Sequence, residues 1–219
     1  MLRNNKILPA IAILLLLIQN LLYAGTSSEL IEAVKKGDID KTRIFLQKNV
    51  LPITRDDDGF SALYYAVVAG NEDIARLLIK AGADVNLQYK DDTTVLIQAS
   101  IKGYNSIAKK IIQAGANTNA RDSNEKTALM YAVQNGRTDI VKMIINRGVN
   151  INSRDNRGRT ALMYAAEYGY YDLIKLIATK GANIKAIDNE DKTALNIAQE
   201  NKHTEAVKLI EKLLRKSGY

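Results

Sequence analysis

Thr127-Ala128-Leu129-Met130-Tyr131-Ala132 returns letter for letter as Thr160-Ala161-Leu162-Met163-Tyr164-Ala165, an offset of 33 residues (160 − 127). Stepping that offset backwards gives Thr94-Val95-Leu96-Ile97-Gln98-Ala99, Ser61-Ala62-Leu63-Tyr64-Tyr65-Ala66 and Ser28-Glu29-Leu30-Ile31-Glu32-Ala33. Stepping it forwards gives Thr193-Ala194-Leu195-Asn196-Ile197-Ala198. A hydroxyl, a Leu and an Ala hold their places in every copy, and no insertion breaks the register. A fixed period in this range is the signature of a solenoid, in which each unit buries its apolar face only by stacking on its neighbours.

The columns have a direct physical reading. Thr or Ser stands just before an apolar run, where its oxygen can accept from an unpaired N–H at a helix start. A first helix follows, over 128–135 in the fourth copy, and its Ala132 is small enough for a neighbouring helix to approach closely. Gly136 suits the left-handed stop that ends a helix. A second helix is apolar at Ile140, Val141, Met143, Ile144 and Ile145, with Lys142 and Asn146 outward, so a buried stripe of helical period is expected. Gly148 ends it, and a polar stretch turns the chain in a hairpin towards the next copy. The fold class is therefore an all-α repeat, an α-solenoid of about six helix–turn–helix units (33 residues each).

Further columns carry a resemblance to a family. Gly37, Gly70, Gly103, Gly136 and Gly169 follow the phrase, and Gly82, Gly115, Gly148 and Gly181 come later in each copy. Asp84-Val85-Asn86, Asn117-Thr118-Asn119, Asn150-Ile151-Asn152 and Asn183-Ile184-Lys185 come next. This pattern resembles the ankyrin repeat over roughly residues 28–214. The resemblance implies a recognition scaffold with short helix pairs joined by β-hairpin-like loops. It divides the chain into an N-terminal capping repeat at 25–57, ankyrin repeats at 58–87, 91–120, 124–153 and 157–186, and a C-terminal capping repeat with a basic tail at 190–219. Two departures stand out. In copies two to six the family's Pro is Ala62, Val95, Ala128, Ala161 or Ala194, and its His is Tyr64, Ile97, Met130, Met163 or Asn196. The hydrogen bonds that the His makes in the family are expected to be absent.

The N-terminus has a different character. Arg3 and Lys6 precede an apolar run from Ile7 to Ile18, extended by Leu21 and Leu22, and Ala24-Gly25 follows before the first acid, Glu29. That order reads as a secretory signal peptide over 1–24, cut after Ala24. The alternative is an uncleaved signal-anchor that holds a scaffold on a membrane. Either reading exports the repeats. With the Lys-, Ile- and Asn-rich composition of a bacterial chain, the expected destination is the periplasm or the medium.

Composition narrows the function. The chain has no Cys and one His, His203, and it lacks a Gly-rich phosphate loop and a nucleophile elbow. Neither catalysis, nor a cofactor, nor a metal site is expected. Asp56-Asp57-Asp58-Gly59 resembles part of a calcium loop but lacks the remaining ligands, so it reads as a turn. Without Arg3 and Lys6 the 31 basic residues become 29 against 24 acids, and they are scattered on solvent faces as at Arg76, Lys109, Lys142, Lys175 and Lys208. No nucleic-acid partner is expected.

The end copies depart from the middle ones. Lys41 and Thr42 stand where later copies have Ile74 and Ala75, which predicts a first repeat with a wet outer face. Lys202 replaces the inter-helix Gly in the last copy, and Glu211 replaces Ile79, Ile112 and Ile145. Lys110 interrupts a column of Leu77, Met143, Leu176 and Leu209, and is expected to snorkel.

In ankyrin-like arrays the partner meets the hairpin tips and the concave face of the first helices. The matching column is Tyr65, Gln98, Tyr131, Tyr164 and Ile197. Beside it lie Val68, Ile101, Gln134, Glu167 and Glu200, then Ala69, Lys102, Asn135, Tyr168 and Asn201, then Asn71, Tyr104, Arg137, Tyr170 and His203. The chain holds 11 Tyr against 2 Phe and no Trp, a bias that a buried core alone would not produce. Tyr and Arg are the residues enriched at interface hot spots. The expected contact set is Tyr65, Gln98, Ile101, Tyr104, Tyr131, Gln134, Arg137, Tyr164, Glu167, Tyr168 and Tyr170, facing a protein partner and carried by a monomer.

Overall fold

The computed structural model describes residues 27–216; the signal peptide expected over 1–24 lies outside them. Among the described residues the chain is helical throughout. A helix α1 covers 27–35, followed by α2 (Ile39–Gln47), α3 (Ala62–Val68), α4 (Glu72–Lys80), α5 (Val95–Lys102), α6 (Asn105–Gln113), α7 (Ala128–Gln134), α8 (Thr138–Asn146), α9 (Ala161–Glu167), α10 (Tyr171–Thr179), α11 (Ala194–Glu200) and α12 (Thr204–Lys216). The expected hairpins are reduced to turns: among the described residues only isolated antiparallel bridges occur, at Arg55–Ser61, Arg121–Thr127 and Ile187–Thr193. No described helix is long and apolar enough to cross a membrane.

Among the described residues, those up to Asp84 form one compact unit and those from Val85 onward a second. In the first, α3 packs on α4 and α2 on α4. In the second, the first helices α5, α7, α9 and α11 pack in sequence, each on its own partner α6, α8, α10 or α12.

The hydroxyl column caps as expected. Ser61, Thr94, Thr127, Thr160 and Thr193 each accept from the N–H three residues on, at 3.2–3.4 Å. In the last copy Asn196, at the family's His position, accepts from both the N–H (3.0 Å) and the hydroxyl (2.6 Å) of Thr193, closing a reciprocal cap. The first helices α3, α7, α9 and α11 are seven residues long and α5 eight, and α7 stops one residue short of the expected 128–135 because Asn135 already serves as its C-cap.

Leu63, Leu96, Leu129 and Leu162 are fully buried, and Ala66, Ala99, Ala132 and Ala165 have no exposed surface, so the small residue does admit a close neighbour. On α8 the buried stripe is Ile140, Val141 and Ile144, while Met143 and Ile145 sit at its half-exposed border.

The glycine between paired helices has two reasons to be glycine. Gly103 has φ +79, and a Cβ there would lie 2.5 Å from the Arg137 side chain. Gly136 likewise lies under the Tyr170 ring, and Gly169 under His203. Each glycine is thus a platform for the residue one copy further on. Lys202, with φ +60, takes the same left-handed turn in the last copy.

A second ladder runs along the loops after the second helices. Asn86 accepts from the Asn117 N–H at 2.7 Å, Asn119 from Asn150 at 2.8 Å and Asn152 from Asn183 at 2.7 Å. Lys185 stands at this position in the fifth copy.

In the first repeat Lys41 is exposed as expected of a wet outer face, but Thr42 corrects that expectation. Thr42 is fully buried, its hydroxyl donating to the Asp38 carbonyl at 2.7 Å, so it replaces Ala75 inside the core. Ile44, Leu51 and Ile53 are instead about half exposed (48%, 52% and 56%).

Candidate protein-interaction surface

The tyrosine column is built from both ends of the hairpin. The N-cap places Tyr131 one turn into α7, and its hydroxyl donates to Asp122, nine residues back, at 2.6 Å. Tyr164 does the same to Asp155 at 2.5 Å, and Tyr65 to Asp56 at 2.7 Å. The other oxygen of each Asp organises the turn. Asp122 Oδ1 accepts from the N–H groups of Asn124 and Lys126, and Asp155 Oδ1 from those of Arg157 and Arg159, at 2.8–2.9 Å. Asp122 and Asp155 are buried, and this arrangement satisfies both carboxylate oxygens.

Copies three and six depart in an instructive way. Tyr89 takes the place of the Asp and Gln98 that of the Tyr; Tyr89 is buried and Gln98 turns to the Thr93 hydroxyl at 3.4 Å. In the last copy Asp188 remains but Ile197 replaces the phenol, and Arg159 reaches across to Asp188 at 3.6 Å. Burial would raise the Asp188 carboxyl, but the N–H groups of Lys192 and Glu190 and the charge of Arg159 prevail and hold it below its ordinary value.

Cations fill the space beside the rings. Lys126 Nζ lies 4.9 Å from the Tyr131 centroid and 4.5 Å from that of Tyr164, and donates to Gln134 at 2.8 Å. Burial lowers its pKa against the opposing pull of Asp155, Asp122 and Glu167. Arg159 stands 5.6 Å over Tyr164 and donates to both oxygens of Glu167 at 3.0 Å. In the first unit Lys35 covers Tyr65 at 4.5 Å and pairs with Asp56 at 3.0 Å, which commits the Asp56 carboxylate to a turn and an ion pair.

The expected contact residues therefore separate into two groups. Tyr65, Tyr131, Gln134 and Glu167 are half-buried and engaged within their own repeats, Gln98 bonds the neighbouring Thr93, and Tyr164 is 3% exposed. The expectation that Tyr164 is an accessible anchor is corrected by that burial: its ring is core and its hydroxyl serves Asp155. The second group lies at the C-terminal end of the first helices and in the turn beyond. Arg137 and Tyr168 are exposed there, and Ile101, Tyr104 and Tyr170 are half-exposed. Tyr168 and Tyr170 stack at 5.7 Å with an interplanar angle of 17°.

The Asp column was missed as more than a turn former. Its signal was legible: the spacing of nine between Asp and Tyr recurs in copies two, four and five, and the third copy changes both members together.

Against known families, a model described as ankyrin repeats (3 copies) matches residues 10–89, 96–188 and 152–216. The chain belongs to the ankyrin-repeat family. Ankyrin repeats are protein-interaction modules and are generally non-catalytic. Among curated proteins the chain is similar to Caskin-2 of Xenopus laevis, at 36% identity over 76 residues. That stretch covers 29% of this chain and 6% of Caskin-2, so the chain spans a small part of that relative's length.

Proposed function

We propose that this chain is an exported, monomeric, non-catalytic binding module that grips a protein partner along the concave face of its first helices and the adjoining turns. The observation that supports this reading is the outer group. Tyr104, Arg137 and Tyr170 stand at one position of three successive repeats, Ile101 and Tyr168 lie in the columns beside them, and all five remain outside the packed core. The inner tyrosines serve the same end indirectly, because the Asp–Tyr bonds and the cations beside the rings hold the first helices rigidly, and a rigid surface loses less entropy on binding. Export rests on the Arg3/Lys6 flank and the apolar run, and gives a periplasmic or secreted protein. The second reading, a scaffold held at a membrane by the same segment, differs in one measurable respect. N-terminal sequencing of the native protein returns Gly25 if the segment is cleaved, and residues of the 7–22 run if it is retained.

The partner is tested by cross-linking the native protein in its extracytoplasmic compartment and identifying the attached protein by mass spectrometry. Ile101→Ala with Arg137→Ala is expected to abolish the cross-link. Lys142→Ala with Lys175→Ala, on the second helices, is expected to leave it intact, and the reverse pattern overturns the concave-face assignment.

A further inference from the structure

The turn between α9 and α10 and the first two residues of α10 read Tyr168-Gly169-Tyr170-Tyr171-Asp172, and no other copy has three tyrosines here. The corresponding stretches are Lys102-Gly103-Tyr104-Asn105-Ser106 and Asn135-Gly136-Arg137-Thr138-Asp139. Tyr168 and Tyr171 are exposed at 42% and 44%. Gly136, Thr138, Gly169, Tyr170, Tyr171, Asp172 and Leu173 enclose an open recess of about 280 Å³ within the second unit.

Two comparisons within the molecule set this recess apart. The first concerns the carboxylate. Its equivalents are all engaged: Asp40 pairs with Arg43 at 3.0 Å, Asp73 with Arg76 at 2.9 Å, Glu205 with Lys208 at 2.9 Å, and Asp139 accepts from Asn105 at 3.3 Å. Asp172 has Lys175 at the same helical spacing, yet among the described residues it makes neither an ion pair nor a hydrogen bond. The second concerns the rings. Tyr65, Tyr131 and Tyr164 each receive a cation from their own chain, whereas Tyr168, Tyr170 and Tyr171 receive none among the described residues. Arg137, the nearest arginine in sequence to Gly136, has its side chain against Gly103 of the preceding turn.

An unpaired carboxylate beside phenol rings that carry no cation is a site that lacks one. We propose that this recess takes the guanidinium of an arginine on the protein partner, an inference that rests on the protein-binding reading above. A guanidinium suits it better than an ammonium: it is planar, stacks on an aromatic face and can place two N–H groups on one carboxylate. The chain's own Arg159 shows the same combination, over the Tyr164 ring and bonded to Glu167.

The test uses the full chain and a blocked Gly-Arg-Gly peptide, with its citrulline counterpart as the isosteric neutral control. Ring resonances of Tyr168, Tyr170 and Tyr171 are followed by NMR. Saturable shifts confined to these rings are expected with the arginine peptide, with affinity about tenfold lower for the citrulline peptide or for Asp172→Asn. An equal response to citrulline, an undiminished response in Asp172→Asn, or no shift at these rings overturns the proposal. The citrulline arm uses the unaltered protein and so remains decisive if the variant folds poorly. A recess indifferent to arginine leaves the protein-binding reading standing on its own cross-linking result.

Discussion

The Tyr164 hydroxyl donates to Asp155 Oδ2 at 2.5 Å, joining the buried start of α9 to the buried floor of the turn that precedes it. A side chain chosen from sequence as a contact anchor is thereby a stability element. Tyr164→Phe leaves a buried carboxylate oxygen without its donor and is expected to cost about 1–3 kcal/mol. Tyr164→Ala also opens a cavity and is expected to cost about 3–5 kcal/mol. Urea midpoints of the two variants check this, and equal midpoints for wild type and Tyr164→Phe would show that the bond contributes nothing net.

The same bonds set an alkaline limit. Burial, followed by the hydrogen bonds to Asp122 and Asp155, raises the phenols of Tyr131 and Tyr164 above their ordinary value of 10.0. A group whose folded pKa is raised contributes stability that is fully present below its unfolded pKa and is lost as pH rises through the folded value. Thermal stability should therefore decline above pH 10.0, and decline less steeply in Tyr131→Phe with Tyr164→Phe. Lys126, lowered by burial, acts in the opposite sense over the alkaline range, so the difference between variant and wild type isolates the tyrosines. Parallel pH profiles would refute the assignment.

Much of the fold was legible because the repeat presents each constraint five or six times. Thr127 reads as a cap and Ala132 as a close contact from one copy, and the other copies repeat them. The site was less legible, because a helical column states which residues lie side by side and not how far out they reach. Tyr131 and Tyr168 look alike in sequence, yet only Tyr131 has an Asp nine residues before it. Gln134 and Glu167 read as free contact residues in their columns, but Lys126 and Arg159, eight residues earlier, hold them. Thr42 read as polar and therefore wet, but a hydroxyl that returns its hydrogen to the Asp38 carbonyl can be buried without loss.

Lys110 offers a gain of stability. It occupies the column of Leu77 and Met143, is half-exposed, and forms no ion pair among the described residues. Lys110→Leu replaces a snorkelling stem by a branched apolar group and is expected to stabilise by about 1 kcal/mol. A higher denaturant midpoint with an unchanged slope checks this, and a lower midpoint would reveal an interaction of the ammonium that the folded state depends on.

Gly158 is the most constrained residue of the hairpin tips. The tip position is left-handed in copies two to six, at Gly59, Asp92, Glu125, Gly158 and Asp191, so positive φ alone does not demand glycine there. Gly158 is buried with φ +74, and a Cβ would lie 2.4 Å from the Asn189 side-chain oxygen, 2.5 Å from Arg154 and 3.0 Å from the Asn189 backbone nitrogen. Arg154 can swing away, but the Asn189 N–H donates to the Arg157 carbonyl at 3.0 Å and its side-chain amide to the Asn156 carbonyl at 3.0 Å. A methyl group at 158 must break or stretch that link between successive tips. Gly158→Ala is expected to cost about 2 kcal/mol, combining left-handed strain with the displaced contact. Glu125→Ala, at the equivalent exposed position, keeps the same φ but loses its ion pair with Arg121, an exposed pair worth at most about 1 kcal/mol. Amide exchange at Asn189 separates the two effects: it should accelerate in Gly158→Ala and stay slow in Glu125→Ala. Unchanged protection at Asn189 in the Gly158 variant would mean that the tips are not coupled through this contact.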